Sequence, residues 1–434
     1  MKPQPEKLDF KAVLPVFIIV IIDLMGFSLF IPLLSLYAAT FGADEFLIGV
    51  LAATYPLLQF VGAPILGQLS DKYGRKPVLI MSQIGTLVGF LLLGVANSLV
   101  LVFLSRAIDG ISGGNISVAQ AAITDKTTPA TRTQGLGLIG AAFGIGFVIG
   151  PIISFIVLAA TDDNFALVAF IAAGFSLASI LLTTFWFEET TQPQQNRSKQ
   201  GGAAGFGTII SNLRTPVTGF LLGLIALYTF SFSAIEQFLS VFTLSRLGID
   251  AARNAALFIV IGIIFVAVRG YYVGRWSQRF GERKLILAGL LILGLSMMGT
   301  ALTPGIPVPW YDRQEVAASL SQEDEGALQL QLPDETNKGW LGFAYLLILL
   351  VPLAIAAGVL TPAINSSITQ QVAAADIGNV LGTSTALASL SRVLSPLFFG
   401  LVFQWLGNIV PFMLAGLLLL AGLLLARRQL ATIK

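Results

Sequence analysis

Six charged side chains interrupt the long apolar segments of this sequence, and they are its main candidates for chemistry. Each would cost about 2.5–3.5 kcal/mol at the centre of a membrane-spanning helix. Together they would cost on the order of 15 kcal/mol, which matches the whole net stability of a typical protein. They must therefore be paired, hydrated or protonated, facing a cavity or a partner rather than lipid. The six are Asp23, Arg106, Asp109, Glu236, Arg269 and Arg392.

The chemistry open to these residues is proton transfer by carboxylates. The chain has no histidine and no cysteine, which removes imidazole bases, thiol nucleophiles, disulfides and the usual zinc and haem ligands. An enzyme is therefore disfavoured, and no cofactor or metal is expected. Asp23 could carry a proton if it met water on alternate sides of a membrane. The alternative is a structural carboxylate that bonds a neighbouring helix.

Composition places the chain in a bilayer. Of its 434 residues, 55% are hydrophobic and 11% charged, and the mean hydropathy is +0.84. The net charge of +2 gives no basic surface for nucleic acid. The first apolar run, residues 13–39, is too long for a cleavable signal peptide.

The hydropathy pattern predicts twelve membrane spans, because a spanning helix needs about 20 apolar residues. Their predicted centres lie near residues 25, 58, 86, 110, 146, 175, 230, 263, 293, 354, 390 and 417. Sorting Lys and Arg by the connecting segments puts eighteen on the side of both termini and four on the other side. The positive-inside bias then predicts that both termini are cytoplasmic, and a bacterial-type inner membrane is the default location.

Two polar segments divide the chain. Residues 188–213, rich in Gly and Gln, predict a cytoplasmic linker between six-span halves at 1–187 and 214–434. Residues 304–338 hold seven acidic and two basic residues and predict an external loop between spans 9 and 10. This insertion is either a solvated surface loop or a vestibule that attracts cations.

The loop between spans 2 and 3 carries a specific pattern, Gly67-x-x-x-Asp71-x-x-Gly74-Arg75-Lys76, and a weaker copy returns 207 positions later. Basic residues alone would satisfy the topology bias, but that bias requires neither the aspartate nor the glycines. The pattern resembles the signature loop of the major facilitator superfamily of transporters. The resemblance implies an all-α fold of two pseudo-symmetric six-helix halves, with the substrate site where the halves meet.

The same resemblance assigns roles to the loop. It implies that Asp71 pairs with Arg75 and caps the start of span 11, which would latch the two halves in the outward-open state. Asp125, at the end of span 4, would join this gating network. The second copy has Gln278 in place of Asp71, so the latch is expected to be asymmetric.

Three further motifs resemble the tetracycline-resistance-like branch of drug:proton antiporters. Asp23-x-x-Gly26, followed by Pro32, resembles the span 1 motif, and Arg106-x-x-x-Gly110-x-x-x-Gly114 the span 4 motif. The resemblance gives Arg106 a coupling role beside the proton carrier, while Asp109 has the structural role of neutralising it. In span 5, Gly144, Gly150 and Pro151 resemble the exporter motif. The sequence departs from this motif at residues 152–154.

Span 7 supplies a second candidate acid, Glu236, among aromatic residues at 228, 232 and 238. This grouping suits an amphipathic or cationic substrate, although the rings could instead pack against span 11. Arg392 is expected to face the cavity or Glu236. Other polar or aromatic residues at membrane depth are predicted to line the cavity or to join helices. The predicted lining is Phe27, Tyr55, Gln59, Asn115, Tyr228, Phe232, Gln237, Asn365 and Arg392.

These patterns together favour a monomeric, proton-driven exporter of small amphipathic compounds that works by alternating access, with Asp23, Arg106 and Glu236 coupling transport to protons. Two rivals remain open. The same fold supports proton-coupled uptake of a metabolite. A non-transporting membrane sensor could also be built on a transporter scaffold, with the 304–338 loop as its contact surface.

Overall fold

The described part of the chain folds into a bundle of twelve long apolar helices, as the hydropathy of the sequence predicts. A computed structural model describes residues 8–128, 131–161, 163–190, 211–320, 331–372 and 377–430. The spans are Phe10–Leu29, Glu45–Tyr73, Arg75–Gly94, Leu99–Asp125, Arg132–Ala160, Phe165–Phe185, Pro216–Leu247, Ala251–Phe280, Glu282–Ala301, Leu341–Gln370, Ile377–Leu406 and Val410–Gln429.

Local sequence signals set several span boundaries. Asp44, Asn164 and Asp250 cap the N-termini of spans 2, 6 and 8 through side-chain oxygens that accept backbone N–H bonds. Spans 2 and 3 are separated by Gly74 at φ +101°, and spans 8 and 9 by Gly281 at φ +76°. Only glycine adopts such angles without strain, so both loop copies need their glycine for the same turn.

Two spans are irregular in the middle. Span 4 consists of the helices Leu99–Ser112 and Asn115–Asp125, which are separated at Gly113-Gly114. Span 8 contains a π-helical turn, Val268–Tyr272, between Ala251–Ala267 and Val273–Phe280. Irregular backbone at membrane depth is tolerated where it lines a cavity or is buried in protein, and π-helical turns are frequent at functional sites.

The two halves meet closely at one end and separate at the other. Gly49 of span 2 lies against the backbone of Pro396 in span 11, and Gly262 of span 8 lies against Phe147 in span 5. Towards the end that carries the 67–76 loop, called here the basic end, glycines of the same four spans face open space. They are Gly67, Gly137, Gly140, Gly270, Gly274 and Gly382. The bundle is therefore open at its basic end and closed at the opposite end.

The 304–338 insertion is partly folded onto the closed end. The backbone N–H of Val308 donates to Leu247 O at 2.9 Å, and Tyr311 is buried where Gly248 leaves room for its ring. A short helix, Arg313–Leu320, follows it. Residues 321–330 lie outside the described residues, as do residues 191–210 of the predicted linker.

Substituting Gly49 tests the close crossing at the closed end. A side chain at this position would overlap the carbonyl oxygen of Pro396. We expect Gly49→Leu to destabilise the purified protein by about 1–3 kcal/mol, as overpacking does in cores, which would appear as a lower midpoint of thermal unfolding. Gly174→Leu in span 6 is the matched control, because nothing lies near Gly174. An equal midpoint for both variants would contradict the crossing.

Candidate functional site

A large cavity runs between the two halves and opens at the basic end. Its volume is about 2810 Å³, and its walls are formed by spans 1–5, 7, 8, 10 and 11. The six charged residues that interrupt the apolar segments of the sequence all lie along it. So do all nine side chains predicted to line a cavity, although their part in binding a substrate remains a prediction.

On the N-terminal wall, amide groups rather than a cation hold Asp23. Asn115 Nδ2 in span 4 donates to Asp23 Oδ2 at 2.8 Å, and Gln83 Nε2 in span 3 approaches the same oxygen at 3.5 Å. Gln83 also donates to Ser179 Oγ in span 6 at 2.8 Å. The carboxylate is therefore tied to three neighbouring helices while it still faces the cavity.

Arg106, which was predicted to have a coupling role beside Asp23, forms its ion pair with Asp109. Its guanidinium lies 3.1 Å from Asp109 Oδ2, and the two side chains are 4% and 3% exposed. The same guanidinium lies 5.3 Å from the centroid of the Phe90 ring. This buried pair agrees with the neutralising role predicted for Asp109, and it leaves the coupling role of Arg106 as a prediction.

A side chain of span 2 donates a hydrogen bond to the backbone at the break in span 4. Gln59 Nε2 donates to Gly113 O at 2.7 Å and to the Tyr55 hydroxyl at 3.1 Å. The Tyr55 ring lies 5.1 Å from the ring of Phe27 in span 1, centroid to centroid. Gln59 thus supplies the donor that the interrupted helix lacks, and the two rings form an apolar surface beside Asp23.

The C-terminal wall carries two arginines and one glutamate that do not form ion pairs. Arg392 and Arg269 both lie within electrostatic reach of Glu236. Throughout the described part of the chain, however, no carboxylate comes within 4.0 Å of either guanidinium. Both arginines are exposed to the cavity. With Glu236 and both arginines ionised, this wall has a net charge of +1. On the N-terminal wall opposite, Arg106 and Asp109 neutralise each other, so the charge of Asp23 remains unbalanced.

A row of aromatic rings lines the C-terminal wall together with these charged residues. Tyr228 stacks on Phe232 at 5.8 Å, and Phe232 lies 5.9 Å from Phe265, whose ring is 4.8 Å from the Arg269 guanidinium. Phe238, by contrast, is fully buried and stacks on Phe403 of span 11. For this ring the packing alternative is correct.

Polar residues farther along the C-terminal half face the cavity or join helices. Gln237 lies along the cavity beside Glu236. Asn365 of span 10 does both, since its Oδ1 accepts a hydrogen bond from Ser384 Oγ of span 11 at 3.1 Å.

At the cavity mouth, the signature loop forms a polar network around Arg75. Its guanidinium binds Asp71 at 2.7 Å, Asp125 at 3.0 Å and Ser70 Oγ at 2.6 Å. The implied Asp71–Arg75 pair is therefore present. The implied cap falls at the start of span 11, where residues 373–376 and the side chains of residues 377–379 lie outside the described residues.

Glu189 completes this network from the start of the linker. Its two carboxylate oxygens accept the backbone N–H groups of Arg75 and Lys76 at 2.8 and 3.0 Å. A carboxylate at this position is favourable because it meets the positive end of the span 3 helix. Since Gly74 leaves space for this carboxylate, the loop glycine serves both the turn and the cap.

The span 5 motif is a packing surface against span 1. Ser28 Oγ donates to Gly146 O at 2.6 Å, and Ser154 Oγ donates to Leu29 O at 2.7 Å. Gly150 lies against Ser28, and Pro151 continues the helix without ending it. Gly144 faces Val266 of span 8 and the cavity. These contacts explain the small residues without deciding the direction of transport.

Comparison with known families decides the classification. The sequence profile of the Major Facilitator Superfamily matches residues 16–315. The chain belongs to this superfamily. It is therefore a member of a transporter family and not of an enzyme family, and the twelve spans are those of an integral multi-pass membrane protein.

Within the superfamily, the chain is similar to several curated proteins along most of its length. The chain is 27% identical to the class B tetracycline resistance protein of Escherichia coli over 395 residues, which covers 89% of this facilitator and 87% of the relative. It is 26% identical to human major facilitator superfamily domain-containing protein 10 over 457 residues, covering 93% and 89%.

Solved structures confirm the fold. The crystal structure of the human organic anion transporter MFSD10 (TETRAN) matches with a TM-score of 0.65 at 22% identity and covers 97% of this facilitator and 100% of that chain. A bacterial homolog of the human lysosomal transporter Spinster, in an inward-facing and occupied conformation, matches with a TM-score of 0.70 at 15% identity, covering 98% of each chain.

Sequence reasoning missed three functional-site residues: Gln83, Ser179 and Glu189. Gln83 could have been found, since it is an amide in the middle of an apolar span. Ser179 and Glu189 carry no such signal, because a serine is common in membrane helices and Glu189 lies in an acidic segment that reads as linker.

Proposed function

We propose that this facilitator is a proton-coupled antiporter that exports a small amphipathic compound by alternating access. The observation that carries the proposal is the cavity itself, open at one end, with Asp23 on one wall and Glu236 among aromatic rings on the other. The positive-inside bias supports a basic end that faces the cytoplasm, with both termini on that side. The structure then corresponds to an inward-open state, ready to take substrate from the cytoplasm across a bacterial-type inner membrane.

Asp23 is the proposed proton carrier. Its amide partners, Asn115 and Gln83, can donate to the carboxylate, and no cation of the described residues forms an ion pair with it. A proton can therefore compete for this site as it meets water from each side in turn. Protonation from outside would oppose substrate occupancy and drive the halves to rock. The proton gradient is the energy source, and no cofactor is involved.

The substrate is proposed to be tetracycline-like, in agreement with the relatives that carry tetracycline resistance in their names. The rings of Phe27, Tyr55, Tyr228 and Phe232 offer apolar faces, and the polar groups of Gln59 and Asn365 offer hydrogen bonds across the cavity. A cavity of this kind orients a ligand with a few polar groups and holds it mainly by apolar contact.

A second candidate substrate class is organic anions. It is favoured by the two arginines of the C-terminal wall, Arg269 and Arg392, for which the described residues supply no carboxylate within ion-pairing distance. One fold neighbour is named as an organic anion transporter. An acidic group on the substrate would find a charge-assisted partner in either arginine, whereas an amphipathic cation would meet Glu236 on this wall.

The charge of the substrate is testable at Arg392. We expect Arg392→Gln to raise the half-saturating concentration of an anionic substrate at least about tenfold, since a hydrogen bond to a charged group contributes roughly 1.5–3 kcal/mol. Arg392→Lys should retain most of the affinity. A neutral analogue of the same substrate is the control, and its half-saturating concentration should not change. Equal effects on the anionic and neutral compounds would contradict a direct contact.

The direction of transport separates export from uptake. Intact cells expressing the chain should accumulate less of a transported compound than cells with an empty vector, and collapse of the proton gradient should abolish the difference. Accumulation above the control would instead select an uptake symporter. Deletion of 304–338 with transport retained would count against the non-transporting sensor, since the loop is the contact surface of that alternative.

A further inference from the structure

Four basic side chains at the cytoplasmic-facing end of spans 8 and 9 form a patch that the transport proposal does not use. Arg275, Arg279, Arg283 and Lys284 are all exposed. Among the described residues, no carboxylate lies within 4.0 Å of any of them. The cavity lining on span 8 ends at Gly270, so the four do not belong to the substrate site. They are called here the basic patch.

The internal repeat shows that this lack of pairing is a feature of one half only. In the first loop copy, Arg75 is neutralised by Asp71 and Asp125. The equivalent position in the second copy, 207 residues later, is Glu282, so the charge is inverted. Gln278 stands where Asp71 stood, and the basic patch therefore lacks the carboxylate partners of its counterpart.

Glu282, the one acid inside the second loop copy, accepts hydrogen bonds from neutral side chains and does not pair with the basic patch. Its Oε1 accepts hydrogen bonds from Ser277 Oγ at 2.8 Å, from Ser366 Oγ at 2.9 Å and from Gln370 Nε2 at 3.2 Å. These neutral donors tie span 9 to span 10, in the way that Arg75 ties span 3 to span 4 through Asp125. The patch thus keeps a net charge of +3 even with Glu282 counted.

Aromatic rings accompany the patch. The Arg275 guanidinium lies 3.7 Å from the centroid of the Tyr271 ring, and Tyr272 stacks on Trp276 at 5.2 Å. Tyr271 and Tyr272 are 55% and 42% exposed. Tyr and Trp concentrate at the level of lipid headgroups, where one end of the ring is apolar and the other wet. Basic side chains beside them can reach headgroup phosphates.

We infer that the basic patch is a binding site for anionic phospholipid headgroups of the cytoplasmic leaflet. Charge complementarity identifies the occupant, since this leaflet carries a negative surface potential that attracts basic residues beside a membrane helix. The flanking aromatic rings place the cations at headgroup depth. The inference uses the proposed orientation of the basic end but not the proposed proton-coupled transport, so each can fail without the other.

The test uses Trp276 as a reporter inside the patch. The full chain is reconstituted in nanodiscs of phosphatidylcholine doped with brominated phosphatidylglycerol or, separately, with brominated phosphatidylcholine, because bromine quenches nearby tryptophan. The same measurements on Trp276→Phe isolate the Trp276 signal by difference. We expect more quenching of Trp276 by the anionic lipid at equal bromine content.

Variants that remove positive charges then test whether the basic patch causes the excess quenching by the anionic lipid. Each cation near an anionic leaflet favours binding by roughly fivefold, so Arg275→Gln/Arg279→Gln should lower the preference for phosphatidylglycerol at least about fivefold. Arg275→Lys/Arg279→Lys should retain it. The matched control is Arg427→Gln/Arg428→Gln, which removes two exposed cations from the last turn of span 12, and it should also retain the excess.

Two outcomes would overturn the inference. If Trp276 is quenched equally by the anionic and zwitterionic lipids in the unmodified chain, the patch holds no anionic headgroup. If the span 12 variant loses as much preference as Arg275→Gln/Arg279→Gln, the attraction comes from the overall charge of the basic end and not from this site. The lysine variant shows that any loss is due to charge rather than to misfolding.

Discussion

Replacing Asp23 with Asn is expected to abolish transport driven by a pH gradient while exchange of substrate across the membrane continues. The substitution removes the proton carrier but keeps the size of the side chain and an oxygen that can accept the hydrogen bond from Asn115. Loss of a positioned proton-transfer group typically costs 10²–10⁴-fold in rate. We therefore expect a drop of at least about 100-fold in gradient-driven efflux.

Exchange measured without a gradient separates coupling from binding. Asp23→Asn should still exchange labelled for unlabelled substrate in proteoliposomes, because the aromatic and basic groups of the cavity are unchanged. Glu188→Gln is the control, since Glu188 is an exposed carboxylate away from the cavity, and its efflux should equal that of the unmodified chain. If Asp23→Asn retained gradient-driven efflux, Asp23 would have only a structural role.

The second large effect concerns stability. Arg106→Met would leave Asp109 as a buried carboxylate without its cation, and breaking such a buried pair from one side typically costs about 3–5 kcal/mol. Both side chains are nearly inaccessible, at 4% and 3% exposure, so water cannot replace the lost partner. We expect a clear fall in the unfolding midpoint of the purified protein, followed by intrinsic tryptophan fluorescence.

Two further variants identify the cause of that fall. Arg106→Met/Asp109→Asn removes both charges and should recover most of the lost stability, because no ion is left buried. Arg392→Met removes an arginine that faces the cavity without an ion pair, and it should change the midpoint little. A single Arg106→Met variant as stable as Arg392→Met would show that the Arg106–Asp109 pair does not support the fold.

The fold followed from the sequence because hydropathy and positive φ glycines act locally. Twelve spans could be counted from the hydropathy pattern alone, and Gly74 and Gly281 marked the same turn in both halves. The cavity-lining residues could also be predicted from the sequence, because a polar side chain such as Gln59 or Asn115 in an apolar span has to face water or a partner.

The partners of Asp23 could not be predicted in the same way. The pair of Arg106 with Asp109 was expected, but the hydrogen bonds that Gln83 and Asn115 donate to Asp23 were not. Such partners depend on how helices rotate and cross, which the hydropathy pattern of a single span does not determine. Glu189 shows the same limit, because it meets the signature loop from more than 110 residues away in sequence.

The most direct test of proton-coupled export is the pH inside everted membrane vesicles that have been energised to an acidic interior. Adding tetracycline, or another compound shown to be exported, should make the lumen more alkaline as protons leave in exchange for substrate. The same addition to vesicles with Asp23→Asn should leave the pH unchanged. Substrate uptake into the vesicles with no change in lumenal pH, or an equal alkalinisation in the variant, would contradict coupling through Asp23.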